Sequence, residues 1–138
     1  MDRSLLYVSE SRLGVTEAAA ELDQIVAVSV SRNAILGVTG SLIATRHEFA
    51  QILEGPEAAV DELMASILAD PRHANLRILE YVDISRRRFP NWTLAYSGPA
   101  TYVVSLVEPL LETCTTGLDT AQIHELKSLM EEFGRRGR

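Results

Sequence analysis

An α/β sandwich, with two helices packed on one side of a sheet, is the fold this sequence predicts. Three patterns lead there. Short stretches alternate apolar and polar residues with the period of a strand. Longer stretches between them repeat their apolar residues at helical spacing. Glycine and proline mark the changes from one to the other.

Ser4 to Ser9 (SLLYVS) reads as the first strand, with Leu6 and Val8 on one side and Leu5, Tyr7 and Ser9 on the other. A helix follows. Val15, Ala18, Ala19, Leu22, Ile25 and Val26 form its stripe, with Glu17, Glu21 and Asp23 between them, and its end is expected near Asn33. Gly37 and Gly40 flank a turn into the strand Ser41 to Thr45. Arg46 and His47 make a tight connection, and Glu48 to Glu54 runs back as the second arm of a hairpin. Gly55-Pro56 opens a second helix, with proline in the first turn, where its missing N–H is harmless. Val60, Leu63, Met64, Ile67 and Leu68 are its stripe, and Asp70-Pro71 stops it. Leu76 to Ile84 is the next strand. Trp92 to Ser97 is the last, after the basic turn SRRRFPN. The order β-α-β-β-α-β-β closes as a ferredoxin-like two-layer sandwich, an α+β arrangement with right-handed crossovers and both helices on one face.

The tail is different. Tyr102 to Leu111 is apolar, with Pro109 late in it. Asp119 or Thr120 caps a final helix whose stripe is Ile123, Leu126, Leu129, Met130 and Phe133. These C-terminal helices are expected on or near the second face of the sheet. The domain expectation is residues 1–98 for the sandwich and 99–138 for a helical extension.

Composition narrows the function. The 138 residues are 46% hydrophobic and 23% charged, an ordinary globular balance. Net charge is −6 and the pI near 5.0, which argues against nucleic-acid binding through the phosphate backbone. A single cysteine, Cys114, allows no internal disulfide and fits a reducing compartment. MDRSLLYVSES lacks the apolar core of a signal peptide, and no apolar run is long enough for a bilayer. The expectation is a cytoplasmic chain without membrane contact.

The common enzyme signatures are missing: no GxxxxGK[ST] phosphate loop, no GxGxxG after a strand, no GxSxG elbow. His47, His73 and His124 are poorly spaced for a metal, and no metal site is expected. Glu54, at a strand end before a helix, reads as a capping or dipole interaction rather than an acid or base. What stands out is polar side chains on faces that should be buried: Tyr7, Asn33, Gln51, Trp92 and Thr93. In the sandwich the first and third strands are neighbours, so Tyr7 and Gln51 share the helix-facing layer. A phenol can donate to the amide oxygen and leave the amide's two N–H donors for something else. Each residue alone has an ordinary structural reading. Their convergence favours a polar ligand.

The same pieces resemble a known family. LLYVSES with Tyr7, RNAILGVTGSLI with Asn33, EFAQILEGP with Phe49 and Gln51, DPRH with Arg72 and His73, and RRRFPNWTLAY with Trp92 occur in the order and at the spacing of the BLUF domain, a sensor of blue light using FAD. The resemblance covers roughly residues 3–97. It implies non-covalent FAD between the two helices. Gln51 would bond the flavin N5/O4 edge and Tyr7. Asn33 would hold the C4=O/N3 edge, Ile25 would touch one ring face, and Phe49 belongs to the same motif. Arg72 and His73 look like the basic residues on the phosphate side. The photoactive set would be Tyr7, Gln51 and Trp92: light excites the flavin, Tyr7 gives an electron and a proton, and Gln51 ends rotated or tautomerised. No substrate turns over.

The chain departs from the family in places. Trp92-Thr93-Leu94 stands where the family usually has Trp-x-Met, which bears on coupling more than on flavin binding. Arg32 precedes Asn33, where relatives often carry another polar or ring-bearing residue. Residues 99–138 are too few for a cyclase or phosphodiesterase, so the expected partners are a downstream effector protein and a second copy of the chain. Two other readings suit the same fold: a ferredoxin-like regulatory or dimerisation module without flavin, and a small acylphosphatase-type hydrolase. The second needs an anion-cradling glycine loop, for which Arg12-Leu13-Gly14-Val15 is a thin match.

Overall fold

The computed structural model describes residues 2–11, 18–45, 48–97 and 120–136. Their element order is β1 (Asp2–Ser11), α1 (Ala18–Leu36), β2 (Thr39–Ala44), β3 (Glu48–Gly55), α2 (Glu57–Leu68), β4 (His73–Ile84), β5 (Trp92–Ser97) and α3 (Thr120–Arg136). The Arg12–Val15 loop, the Arg46-His47 connection, Cys114, Asp119 and the Tyr102 to Leu111 segment lie outside the described residues.

The five strands lie in the order β4-β1-β3-β2-β5. The first four are antiparallel throughout, the ferredoxin-like arrangement, and β5 adds to the edge of β2 in parallel. Alternation along β1 sets the two faces. Leu5 and Tyr7 turn toward the helices, where Leu36 of α1 and Val60, Leu63 and Met64 of α2 meet them. Leu6 and Val8 turn the other way. With Ile43, Ala50 and Ile52 they form a second core against Phe89, Leu126 and Met130. So α3 covers the second face, its stripe residues Leu126 and Met130 both 0% exposed. Each large apolar side chain so buried contributes about 1.5–3 kcal/mol.

Two local devices differ from the sequence expectation. Helix α1 runs past Asn33 to Leu36. It ends at Gly37, whose φ of 71° is left-handed, with Val38 N–H bonded to the Asn33 carbonyl at 2.9 Å. This six-to-one closure is the Schellman pattern. Asn33 is therefore inside the last turn rather than capping it. Gly40 sits in β2 at φ 153°, and a Cβ there would lie 1.9 Å from the Ile52 carbonyl oxygen. Only glycine allows this close approach of β2 to β3. The last helical turn and the β2–β3 approach together fix where Asn33 stands relative to the sheet.

Candidate functional site

Register places the central pair. Tyr7 on β1 is directly opposite Gln51 on β3, and Gln51 is opposite Leu42 on β2. The Tyr7 hydroxyl donates to Gln51 Oε1 at 2.7 Å. Tyr7 is 1% exposed and Gln51 5% exposed. Burial pushes the phenol well above its usual pKa, and the nearby Asp70 carboxylate adds to this. Tyr7 is thus held as the neutral, proton-bearing phenol.

The Gln51 side chain makes no other hydrogen bond among the described residues. Asn33, 2% exposed, makes none with its side chain. Amides so buried are costly when their donors and acceptors go unused. Both line a cavity of about 500 Å³ between α1, α2 and the sheet. Ile25, Leu42, Phe49 and Ile67 give it apolar walls. An apolar cavity with a few convergent polar groups is the usual form of a small-ligand site.

The DPRH motif closes one end. Asp70 receives Arg72 Nε at 2.9 Å and Arg72 Nη2 at 2.7 Å, and also the Arg72 backbone N–H. Burial alone would raise the Asp70 pKa, but the bonds and charge of Arg72, with His73 adding, hold it below the usual value. His73 opens β4. Its Nδ1 is 2.7 Å from the Ser9 hydroxyl, and its ring packs 4.6 Å from that of Phe49 and 6.0 Å, edge-on, from that of Tyr7. Burial first, then the Arg72 charge, lowers its pKa despite the opposing pull of Asp70, so the imidazole is favoured as neutral. A bulge in the β1–β4 ladder, with Asn75 left-handed at φ 49°, sets two residues of β4, Asn75 and Leu76, opposite Ser9 alone.

All of Tyr7, Ile25, Asn33, Phe49, Gln51, Arg72 and His73 line this one cavity. Trp92 does not. It packs behind, beside Leu42 and Phe49, opposite Gly40 in the ladder, and its Nε1 has no partner among the described residues. Glu54 is a correction. It faces the α3 side, and its carboxylate accepts the backbone N–H groups of Arg88 at 2.8 Å and Phe89 at 2.9 Å, clamping the β4–β5 loop. Helix α2 instead begins at Pro56 with no side-chain cap. The place of Glu54 at a strand end before a helix suggests a capping or dipole role, but alternation turns its side chain to the face opposite Gln51. Sequence reasoning missed Asp70 and Arg32 as cavity residues, and Ser9 as the partner of His73. Ser9 shares the face of Tyr7 two residues on, a signal that was there to be read. Asp70, before Pro71, signals in the sequence only the end of a helix.

Comparison with known proteins decides the family. The model of the BLUF family, described as sensors of blue-light using FAD, matches residues 3–95. The chain belongs to the BLUF family. It senses blue light through FAD. A photoactivated adenylate cyclase subunit beta of Euglena longa is 34% identical over 92 residues, which is 66% of this chain and 10% of that protein. The blue light- and temperature-regulated antirepressor of Escherichia coli K12 is 36% identical over 73 residues, 53% of this chain and 18% of that protein. The chain therefore spans only a tenth to a fifth of those curated relatives. The dark-state structure of the BLUF protein BlrB is 33% identical with a TM-score of 0.79, over 95% of this chain and 96% of that one. These matches give no support to an acylphosphatase-type hydrolase.

The residues present suit the cofactor. The apolar walls match a flat aromatic ring, and the two uncommitted amides match its polar edge. Among the described residues no helix is long and apolar enough to cross a membrane, and no cluster of three or more His, Cys, Asp or Glu could hold a metal.

Proposed function

We propose that the light response of this BLUF protein is carried by the Tyr7–Gln51 hydrogen bond and read out by a protein partner, without substrate turnover. The observation behind this is the 2.7 Å bond itself, made by the amide oxygen, with the amino group left uncommitted toward the cavity. Bound FAD supplies blue-light absorption and an electron acceptor. Tyr7 is the oxidisable side chain beside it. The Gln51 oxygen is the acceptor already bonded to the phenolic proton. Loss and return of an electron and a proton at Tyr7 would let the amide settle rotated or tautomerised, with donor and acceptor ends exchanged.

Gln51 and Asn33 would hold the ring's polar edge, with Ile25 and Phe49 as its apolar contacts. His73 acts as a neutral stacking wall beside Phe49, and Arg72 shapes that wall through Asp70 rather than offering a free charge. Trp92, which pairs with Gly40 two residues before Leu42 and packs beside Leu42, would feel the amide's reorientation through it. One net hydrogen bond is worth about 1 kcal/mol. That biases a two-state element several-fold, whereas a shift from 1:99 to 99:1 needs about 5.5 kcal/mol. Output is therefore graded unless several contacts change together, and Leu94 at the Trp-x-Met position makes coupling the weakest step.

In this reading residues 1–98 are the flavin unit and 99–138 the output extension. The partner is a downstream effector, a second copy of the chain assists, and the setting is cytoplasmic. Absorption spectra before and just after a blue flash test it. A small red shift that relaxes in the dark, absent in Gln51→Leu, supports the reading. Bound flavin without any shift overturns it.

A further inference from the structure

The outer face of a surface helix normally carries charge, and that of α1 does not. From Gln24 to Ile35 seven of its residues are exposed, and none is charged. Ala27, Ser31 and Ala34 form the middle of this face. Val30, 51% exposed, stands on one side, and Val28 and Ile35, 61% and 82% exposed, on the other. Together they span roughly 160° of the helix at about 100° per residue. The neighbouring helix is ordinary: α2 exposes Glu57, Asp61 and Glu62. So is α3, which exposes Glu125 and Glu132.

Charge says what fits this face. The chain carries −6 overall, so a basic partner gains by meeting the acidic faces and gains nothing by meeting this one. A second copy is repelled by the acidic faces and comes close where neither chain presents charge. The margin of the face is also self-complementary. Arg32 lines the flavin cavity and a second hollow, shared with Val28 and Ile35, whose acid is Glu62 of α2. Neither Arg32 nor Glu62 has an ion-pair partner among the described residues. A two-fold contact repeats each of its pairs, so an antiparallel approach of two α1 helices lets Arg32 of each copy face Glu62 of the other. The short side chains in the middle let the two helix axes come close.

We infer that the exposed face of α1 is the surface on which a second copy of this chain docks, helix against helix. This deepens the proposed function, which calls for a second copy and on which it rests, by naming the face that copy uses. A single helix face is smaller than the about 800 Å² that each partner gives to a stable dimer, so the pairing is weak and concentration-dependent.

Sedimentation velocity of the full chain with its flavin, in the dark and from micromolar to millimolar concentration, tests it. The wild type should pass from monomer to dimer within that range. Val30→Glu and Ile35→Glu each put two acids into a two-fold contact, one from each copy. Each should weaken dimerisation by about tenfold or more, with the flavin absorption unchanged. Leu68→Glu, at a position 62% exposed on α2, should leave dimerisation within about twofold of the wild type. Glu62→Lys, in the hollow of Arg32, should weaken it about threefold. A wild type that stays monomeric overturns the inference. So do Val30→Glu and Ile35→Glu variants that dimerise like the wild type, which would put the contact on another face. Either result leaves the blue-flash spectrum, and with it the flavin reading, standing. A missing red shift in a chain that dimerises through α1 would sink the flavin reading alone.

Discussion

The two faces of the sheet carry the same strands to opposite ends. Tyr7 and Val8 are chain neighbours. Val8 enters a dry core with Leu6, Ile43, Ile52, Leu126 and Met130, and every one of those side chains is packed on another. Tyr7 enters a layer that stops short of filling itself. There the sheet and two helices leave about 500 Å³ with two buried amides on its wall. A folded chain closes its apolar surfaces where nothing else is required. The α3 face is what stability alone produces. The α1–α2 face keeps a hollow and uncommitted polar groups, which is stability set aside for a ligand.

If that division is right, changes on one face should spare the other. The largest effect is on the site side. Gln51→Leu should retain bound flavin and lose the light-induced red shift altogether, measured by difference absorption. Next comes the dry face. Leu126→Ala should lower unfolding free energy by about 2–5 kcal/mol in denaturant titration and leave the flavin spectrum and its red shift unchanged. A loss of the shift in that folded variant would show that the two faces are not separable. Tyr7→Phe keeps the ring and removes the hydroxyl, leaving the Gln51 oxygen without its donor. Loss of the photoresponse should accompany a stability loss of roughly 1–3 kcal/mol.

The smallest effect is on pH. His73 has a lowered pKa in the fold, so the unfolded chain binds its proton more readily. Stability should therefore be intact above about pH 6.5 and fall as the pH drops below it. His73→Asn, which keeps a polar atom near the Ser9 hydroxyl but cannot titrate in this range, should flatten that part of the curve in thermal melts. An unchanged slope would mean the imidazole is not buried as a neutral group.

Much of this was legible from periodicity. A strand's two-residue period puts Leu5 and Tyr7 on one side and Leu6 and Val8 on the other, whatever surrounds them. The same period puts Phe49, Gln51 and Leu53 on one face of β3. The hairpin and the two crossovers then make β1 and β3 neighbours, so a Tyr7–Gln51 pair follows from local pattern and simple topology. The stripe of α3 likewise told which side would be buried, and Trp92 to Ser97 is the strand the sequence predicts.

The rest needed the assembled molecule, because it depends on distances between segments far apart in the chain. Glu54 looked like a helix-end charge until the β4–β5 loop came round to meet it from 34 residues away. The resemblance puts Arg72 on the phosphate side of the cofactor, and the chain after α2 folds its guanidinium onto Asp70. Nothing local says that His73 will be desolvated beside Phe49, or that Arg32 will stand where two hollows meet. Periodicity decides which way a side chain points. Only tertiary packing decides what it meets there, how much water remains, and so whether its charge is spent on a neighbour or left for a ligand.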